Sequence, residues 1–146
     1  MLKIIFRLII LYSLLISNSF SEIINDIKIT GNKRISNETI LVLSNISSGQ
    51  DFNDASLDKA LKKLFETSFF EDIKISLKNG LLTIKVVENP IIESVEITGI
   101  KNKNFIEDIS ENMILKDRMS FTETQLKRDV DFIKNTLKSN GFYFAT

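Results

Sequence analysis

The chain has 146 residues with 19 basic and 19 acidic side chains, so its formal net charge is zero, and it contains neither His nor Cys. That excludes imidazole bases, thiolate nucleophiles and His or Cys ligands for zinc, and with them every Ser-His-Asp or Cys-His centre. An acid–base site of Asp, Glu and Lys remains formally open, but no such pair stands at a phosphate-binding glycine turn. The chain is therefore expected to be no enzyme, to use no cofactor or metal, and, with so even a charge balance, to bind no nucleic acid.

Residues 1–21 read as a cleaved signal peptide. Lys3 and Arg7 form a basic head, an apolar run from Leu8 to Ile16 is interrupted only by Ser13, and Ser19-Phe20-Ser21 is a small-x-small site before Glu22. The rival is an uncleaved anchor, but a bilayer span needs roughly 20 apolar residues and this core has about half of that. Without Lys3 and Arg7 the remainder has 17 basic against 19 acidic residues. The absence of Cys is compatible with an oxidising exported compartment.

A first module is expected over residues 22–89. Ile27 and Ile29 alternate with Asp26, Lys28 and Thr30, which predicts a strand over 23–30 ending at Gly31-Asn32. Ser36 supplies a helix N-cap and Glu38 sits in the first turn; Ile40, Val42, Leu43 and Ile46 form the apolar side of a helix that stops before Gly49. A second helix begins near Asn53 or Asp54 with a stripe of Leu57, Ala60, Leu61, Leu64 and Phe65. Its other side, with Asp58, Lys59, Lys62, Lys63 and Glu66, reads as a solvated face.

Asn79-Gly80 lies between two alternating runs and calls for a two-residue type I′ hairpin. That turn sets Leu77 opposite Leu82, Ile75 opposite Ile84 and Ile73 opposite Val86 on one apolar face. On the other face Lys74 opposes Lys85 and Ser76 opposes Thr83. If the two helices are antiparallel neighbours, the first strand runs parallel to the third, and the simplest sheet is ordered first-third-second. Residues 71–78 are then an edge strand.

Pro90, the only proline, marks a boundary, since it cannot donate to a sheet ladder. The pattern then restarts over residues 90–146. The phrase Ile27-Lys28-Ile29-Thr30-Gly31 returns 68 positions later as Val95-Glu96-Ile97-Thr98-Gly99. A strand over 91–98, a helix around 105–113 and a helix from about 122 to 139 are expected. Leu126, Val130 and Ile133 repeat the stripe of Leu57, Leu61 and Leu64, with Leu137 extending it, and Gly141-Phe142-Tyr143 echoes Ser68-Phe69-Phe70. The sequence breaks off before a second hairpin, so the second module is expected to be incomplete. Compact modules in series commonly serve assembly or recognition.

The runs Ile27-Lys28-Ile29-Thr30-Gly31-Asn32-Lys33-Arg34-Ile35, Leu64-Phe65-Glu66-Thr67-Ser68-Phe69-Phe70-Glu71-Asp72-Ile73 and Val86-Val87-Glu88-Asn89-Pro90-Ile91-Ile92 resemble, in order and spacing behind a signal peptide, the opening POTRA domains of the BamA outer-membrane protein assembly factors. Two departures concern turns: Ser68 stands where relatives commonly have Gly, and Gly99-Ile100 where they have Gly-Asn. The resemblance implies an α+β fold of tandem β-α-α-β-β modules, each a three-stranded mixed sheet covered on one face by two antiparallel helices. It also implies a periplasmic arm at the outer membrane, attached through a C-terminal barrel absent from this sequence. The partners it implies are unfolded outer-membrane β-barrel clients and accessory lipoproteins.

Related POTRA-bearing proteins are the alternatives: a TamA-like factor, a two-partner secretion transporter, or an FtsQ-like anchored division protein, the last disfavoured by the tandem repeat. The candidate client-binding residues are those of the expected edge strand, Glu71, Asp72, Lys74, Ser76 and Lys78. An exposed edge offers unpaired N–H and C=O groups to which an extended chain can add. The competing reading is that Asp72, Lys74 and Lys78 keep the edge from sticking. The sequons at Asn37 and Asn45 read as chance in a chain rich in Asn and Ser.

Overall fold

The computed structural model describes residues 21–143; the expected leader, apart from Ser21, lies outside them. In chain order the elements are β1 (Glu22–Ile23), β2 (Asp26–Thr30), α1 (Asn37–Ser44), β3 (Asp51–Phe52), α2 (Asp54–Glu66), β4 (Phe70–Lys78), β5 (Leu81–Glu88), α3 (Lys103–Asn112) and α4 (Glu123–Ser139). The protein is α+β, and no helix among the described residues is long and apolar enough to cross a membrane.

Asn79 and Gly80 both take positive φ, 52° and 76°, which a type I′ turn demands. The hairpin register is the one the apolar pattern predicts: Leu77 faces Leu82, Ile75 faces Ile84, and Ile73 faces Val86. A slip of one residue would turn this apolar set to solvent, so the pairing is strongly specified. Beside β5 lies β2, parallel, with Ile27 against Leu82 and Ile29 against Ile84. The sheet order is β2-β5-β4.

Helices α1 and α2 cover the apolar face. Ile40 from α1 and Ala60 and Leu64 from α2 join Ile73, Leu82, Ile84 and Val86 in one buried cluster, with Leu57, Leu61, Ile75 and Leu77 packed against it. Both helices start on side-chain caps: Ser36 accepts the Thr39 N–H and Asn53 accepts the Ser56 N–H. Two expected members of the apolar stripes point outward instead. Val42 is 78% exposed and Phe65 is 46% exposed. Val42 lies two residues from the buried Ile40, about 200° round the helix, and Phe65 lies one residue, about 100°, beyond the buried Leu64.

The first strand is also not continuous as expected. β1 pairs with β3 in a separate two-stranded ladder, while β2 belongs to the main sheet. Between them Ile24 drops fully into the core, donates to the Gln50 carbonyl at 3.0 Å and accepts from Gly49 at 2.7 Å. The next two N–H groups, of Asn25 and Asp26, both go to the Gly80 carbonyl, at 2.7 and 3.1 Å.

Gly31 explains why the repeated phrase ends in glycine. Its φ is +92°, and a Cβ there would meet the Val86 carbonyl oxygen at 2.0 Å, so the loop out of β2 crosses hard against β5. Gly99 keeps the positive φ, 84°, but a Cβ there would meet nothing within 4 Å.

That difference reflects what happens after Pro90. The strand expected over 91–98 is absent: only Ile91 forms a bridge, antiparallel to Ser120. Hydrogen bonds from Ile92 to Met119, Arg118 to Ile92 and Phe121 to Pro90 surround it, reproducing the β1–β3 contact 68 to 69 residues later. β2 owes its ladder to β5, and among the described residues no strand lies beside 91–98. The Val95 N–H goes instead to the Asp117 carboxylate at 2.7 Å. Helices α3 and α4 do form, capped by Asn102 and Thr122. Asp129 of α4 is 2% exposed and accepts the N–H groups of Ile114 and Leu115, each at 2.8 Å. It stands where the first unit has Ala60, 69 positions earlier.

Candidate functional site

The candidate residues Glu71, Asp72, Lys74, Ser76 and Lys78 all lie on β4, which among the described residues pairs only with β5 and so forms one edge of the sheet. Hairpin geometry decides which backbone groups are free. In a two-residue hairpin the pair flanking the turn, here Lys78 and Leu81, exchanges both hydrogen bonds, and hydrogen-bonded and non-hydrogen-bonded pairs then alternate. Lys78, Ser76, Lys74 and Asp72 therefore spend their backbone groups on β5 while their side chains face solvent. The N–H and C=O groups of Leu77, Ile75 and Ile73 point away from β5 toward the open edge. Sequence reasoning selected the residues with exposed side chains; the free donors and acceptors belong to their core-facing neighbours.

Glu71 is the exception. The ladder shifts between Phe70 and Asp72, leaving Glu71 as an extra residue, a β-bulge that interrupts the edge at its start. The regular edge thus runs over residues 72–78.

Next to it lies a groove. Leu57, Asn53 and Asp54 at the start of α2, with Phe52, Glu22 and the β4 residues Ile75, Ser76 and Leu77, line a cavity of about 200 Å³. Ile75 and Leu77 are half-buried, as is Leu57. A strand added to β4 would direct alternate side chains into this groove, so the backbone would supply attraction and the apolar lining a preference. Asp72 and Lys74 form an ion pair at 3.1 Å with both side chains well exposed, a contact worth little in water.

The opposite end of the sheet is fixed by a buried carboxylate. The Glu88 side chain, 6% exposed, meets the Arg34 guanidinium at 3.1 Å. It also accepts the backbone N–H groups of Lys33 at 2.7 Å, Arg34 at 2.9 Å and Ile35 at 3.0 Å. Burial pushes this carboxyl up, but the N–H groups of Lys33, Ile35 and Arg34 together with the Arg34 charge outweigh it and hold it below the ordinary glutamate value. Exposed Glu38, in the first turn of α1, is held low by its own backbone N–H and by Ser36. At the hairpin turn the Glu22 carboxylate accepts the Gly80 N–H. Neither the Glu88 nor the Glu22 contact had been singled out from the sequence.

Comparison with known proteins agrees with this architecture. Residues 22–89 match the family described as POTRA, surface antigen variable number repeat. The chain is similar to the outer membrane protein assembly factor BamA of Neorickettsia risticii, with 34% identity over 56% of this chain and 11% of that protein. It is also similar to the BamA of Neisseria meningitidis, with 28% identity over 81% of this chain and 15% of that protein. The chain thus spans only about a tenth to a sixth of the length of these relatives. Among solved structures, the N-terminal domain of Omp85 from Thermosynechococcus elongatus superposes with a TM-score of 0.58 at 16% identity, covering 85% of this chain and 54% of that one. The first two POTRA domains of Omp85 from Anabaena give 0.54 at 11% identity, covering 88% and 86%. The β2-β5-β4 sheet under two helices, the family match over residues 22–89 and the similarity to BamA agree: residues 22–89 match the POTRA family in sequence and in fold, and the chain is similar to the BamA assembly factors.

Proposed function

We propose that this chain is part of the periplasmic arm of an Omp85-type outer-membrane assembly factor, and that β4 receives unfolded β-barrel clients by strand addition. Similarity to BamA supports the general role. The single observation that carries the site is the row of outward-facing backbone groups at Ile73, Ile75 and Leu77 beside the groove of Leu57 and Phe52. Main-chain pairing reads extended conformation more than sequence, which suits a receptor for many clients. β4 has nine residues and the other edge, β2, has five, so β4 offers the longer template. Accessory lipoproteins are further partners in this reading, the Omp85 barrel supplies attachment to the outer membrane, and a cleaved leader delivers the chain to the periplasm.

The test is residue-resolved amide hydrogen exchange with and without a peptide from a transmembrane strand of an outer-membrane barrel. Ile73, Ile75 and Leu77 should gain protection while Lys74 and Ser76, already bonded to β5, change little. Protection confined to β2, or none at β4, would reject this edge. Proline scanning cannot replace this measurement, because the residues with outward N–H groups also carry core-facing side chains.

A second reading is favoured by the Asp72–Lys74 pair, which places charges along the edge as a guard against self-association. Under it, replacing Lys74 and Lys78 by Ser would promote oligomers without weakening peptide binding.

A further inference from the structure

The face of the sheet turned away from α1 and α2 has no covering element among the described residues, and its side chains follow from the ladder. Since Ile27, Ile29, Ile73, Ile75, Leu77, Leu82, Ile84 and Val86 face the helices, the other face carries Lys28 and Thr30 from β2, Thr83 and Lys85 from β5, and Lys74, Ser76 and Lys78 from β4. Lys74 stands directly opposite Lys85, a hydrogen-bonded pair whose Cα atoms are about 5.5 Å apart. On the other side Lys85 pairs with Thr30, which puts Lys28 on the diagonal.

Like charges directly opposite one another weaken a sheet. Among the described residues Lys74 has Asp72 as an ion-pair partner, while Lys28, Lys78 and Lys85 have none. Asp26, Glu71 and Asp72 are the acidic residues on this face, Glu71 at its bulged end, so four lysines face three carboxylates although residues 22–146 as a whole are slightly acidic. A local arrangement of like charges that is only partly offset inside the fold, by Asp72 on Lys74, points to something outside it.

We propose that this face docks on an anionic phospholipid bilayer. Three features favour a headgroup surface over an acidic protein. The charges are all lysines, which act as point charges and lack the planar fork that matches a carboxylate. They stand on a regular sheet with short Thr and Ser side chains between them, so their ammonium groups can reach a flat surface together. Leu81 and Val87, 39% and 48% exposed at the two ends of β5, lie on the same face and supply apolar contact at the headgroup boundary. Docked this way, the sheet would leave the β4 edge open along the membrane, so the two surfaces can act at once.

The experiment is co-sedimentation of the full chain with vesicles of phosphatidylglycerol and phosphatidylethanolamine, and separately of phosphatidylcholine, at low salt and at several hundred millimolar salt. Binding should require the anionic lipid and fall with salt. A lysine near an anionic surface is worth roughly fivefold in affinity, so Lys28→Thr/Lys85→Thr should bind about 25-fold more weakly. A change of equal charge on the far side, Lys59→Gln/Lys63→Gln on α2, should leave binding intact. The apolar leader is common to all variants and cancels in the comparison. The sheet variant removes a repulsion, so its urea midpoint should hold or rise, which separates lost docking from lost folding; should it fail to fold, Lys78→Ser alone must still weaken binding. Equal binding to phosphatidylcholine, unchanged binding by the sheet variants, or an equal loss in the α2 variant would overturn the proposal, as would binding to polyglutamate but not to vesicles.

Discussion

Glu88 and Arg34 meet at 3.1 Å, and the same carboxylate gathers the N–H groups of three consecutive residues, Lys33, Arg34 and Ile35. One side chain at the end of β5 thereby fixes the loop between β2 and α1, while the Arg34 guanidinium goes on to the Asn89 carbonyl at 2.9 Å. Hydrogen bonds to a charged group are worth about 1.5–3 kcal/mol, so Glu88→Gln should destabilise by roughly that amount at neutral pH. The folded carboxyl titrates below its unfolded value of about 4.3. The stabilisation it gives is therefore full above the unfolded value and is lost as pH falls through the folded one. In urea denaturation the gap between wild type and Glu88→Gln should shrink in acid; a gap that stays constant well below the ordinary glutamate range would mean that ionisation plays no part.

Gly31 and Gly99 end the same repeated phrase in different surroundings. Both have positive φ, so alanine costs backbone strain of about 1–2 kcal/mol at either. At Gly31 the new Cβ would also collide with the Val86 carbonyl, a backbone atom that can move only with β5. Gly31→Ala should therefore cost well beyond that strain, about 3 kcal/mol or more, and Gly99→Ala the strain alone. Equal shifts in denaturation midpoint would show that the loop does not cross β5 as described.

The hairpin was legible because three independent signals coincide in it: Asn79-Gly80, the apolar alternation and the charge alternation all require the same register. Edge placement followed from that register and the helix pair. The Glu88 contact was not legible, since it joins residues 53 to 55 positions apart and nothing local marks Glu88 as special. The break at Ile24 was hidden for another reason: an isoleucine fits a strand pattern equally well whether it continues the ladder or turns into the core. The edge residues themselves were only half legible, because a side-chain pattern shows which residues face solvent but not where their N–H groups point.

Burial along β4 and β5 sharpens the core prediction. Ile84 is fully buried while Ile75, its partner across the ladder, is half-buried near the groove. Ile84→Ala should cost about 2–5 kcal/mol, the range for a large core truncation. Lys74→Ala, on the exposed face, should stay within about 0.5 kcal/mol. Chemical denaturation that found the two equal would invert the assignment of faces.

The strongest contrast lies between the two halves of the chain. In the first, Leu57, Leu61 and Leu64 press on a three-stranded sheet and Leu64 is fully buried. In the second, Leu126 and Val130 at the equivalent positions are 42% and 37% exposed, and residues 91–98 have one bridge in place of a ladder. Protection from exchange requires a hydrogen bond that opens only with a cooperative unit, and few such bonds are available there. Amides of β4 and β5 that pair across the hairpin should therefore exchange slowly, near the rate of global unfolding. Those of residues 93–98 should exchange fast, and α3 and α4 should fall between, held mainly by their own helical bonds and by the Asp129 carboxylate on Ile114 and Leu115. Strong and equal protection across residues 91–98 would mean that this segment finds a strand partner in solution, and that the second unit closes its sheet in a way the first does not.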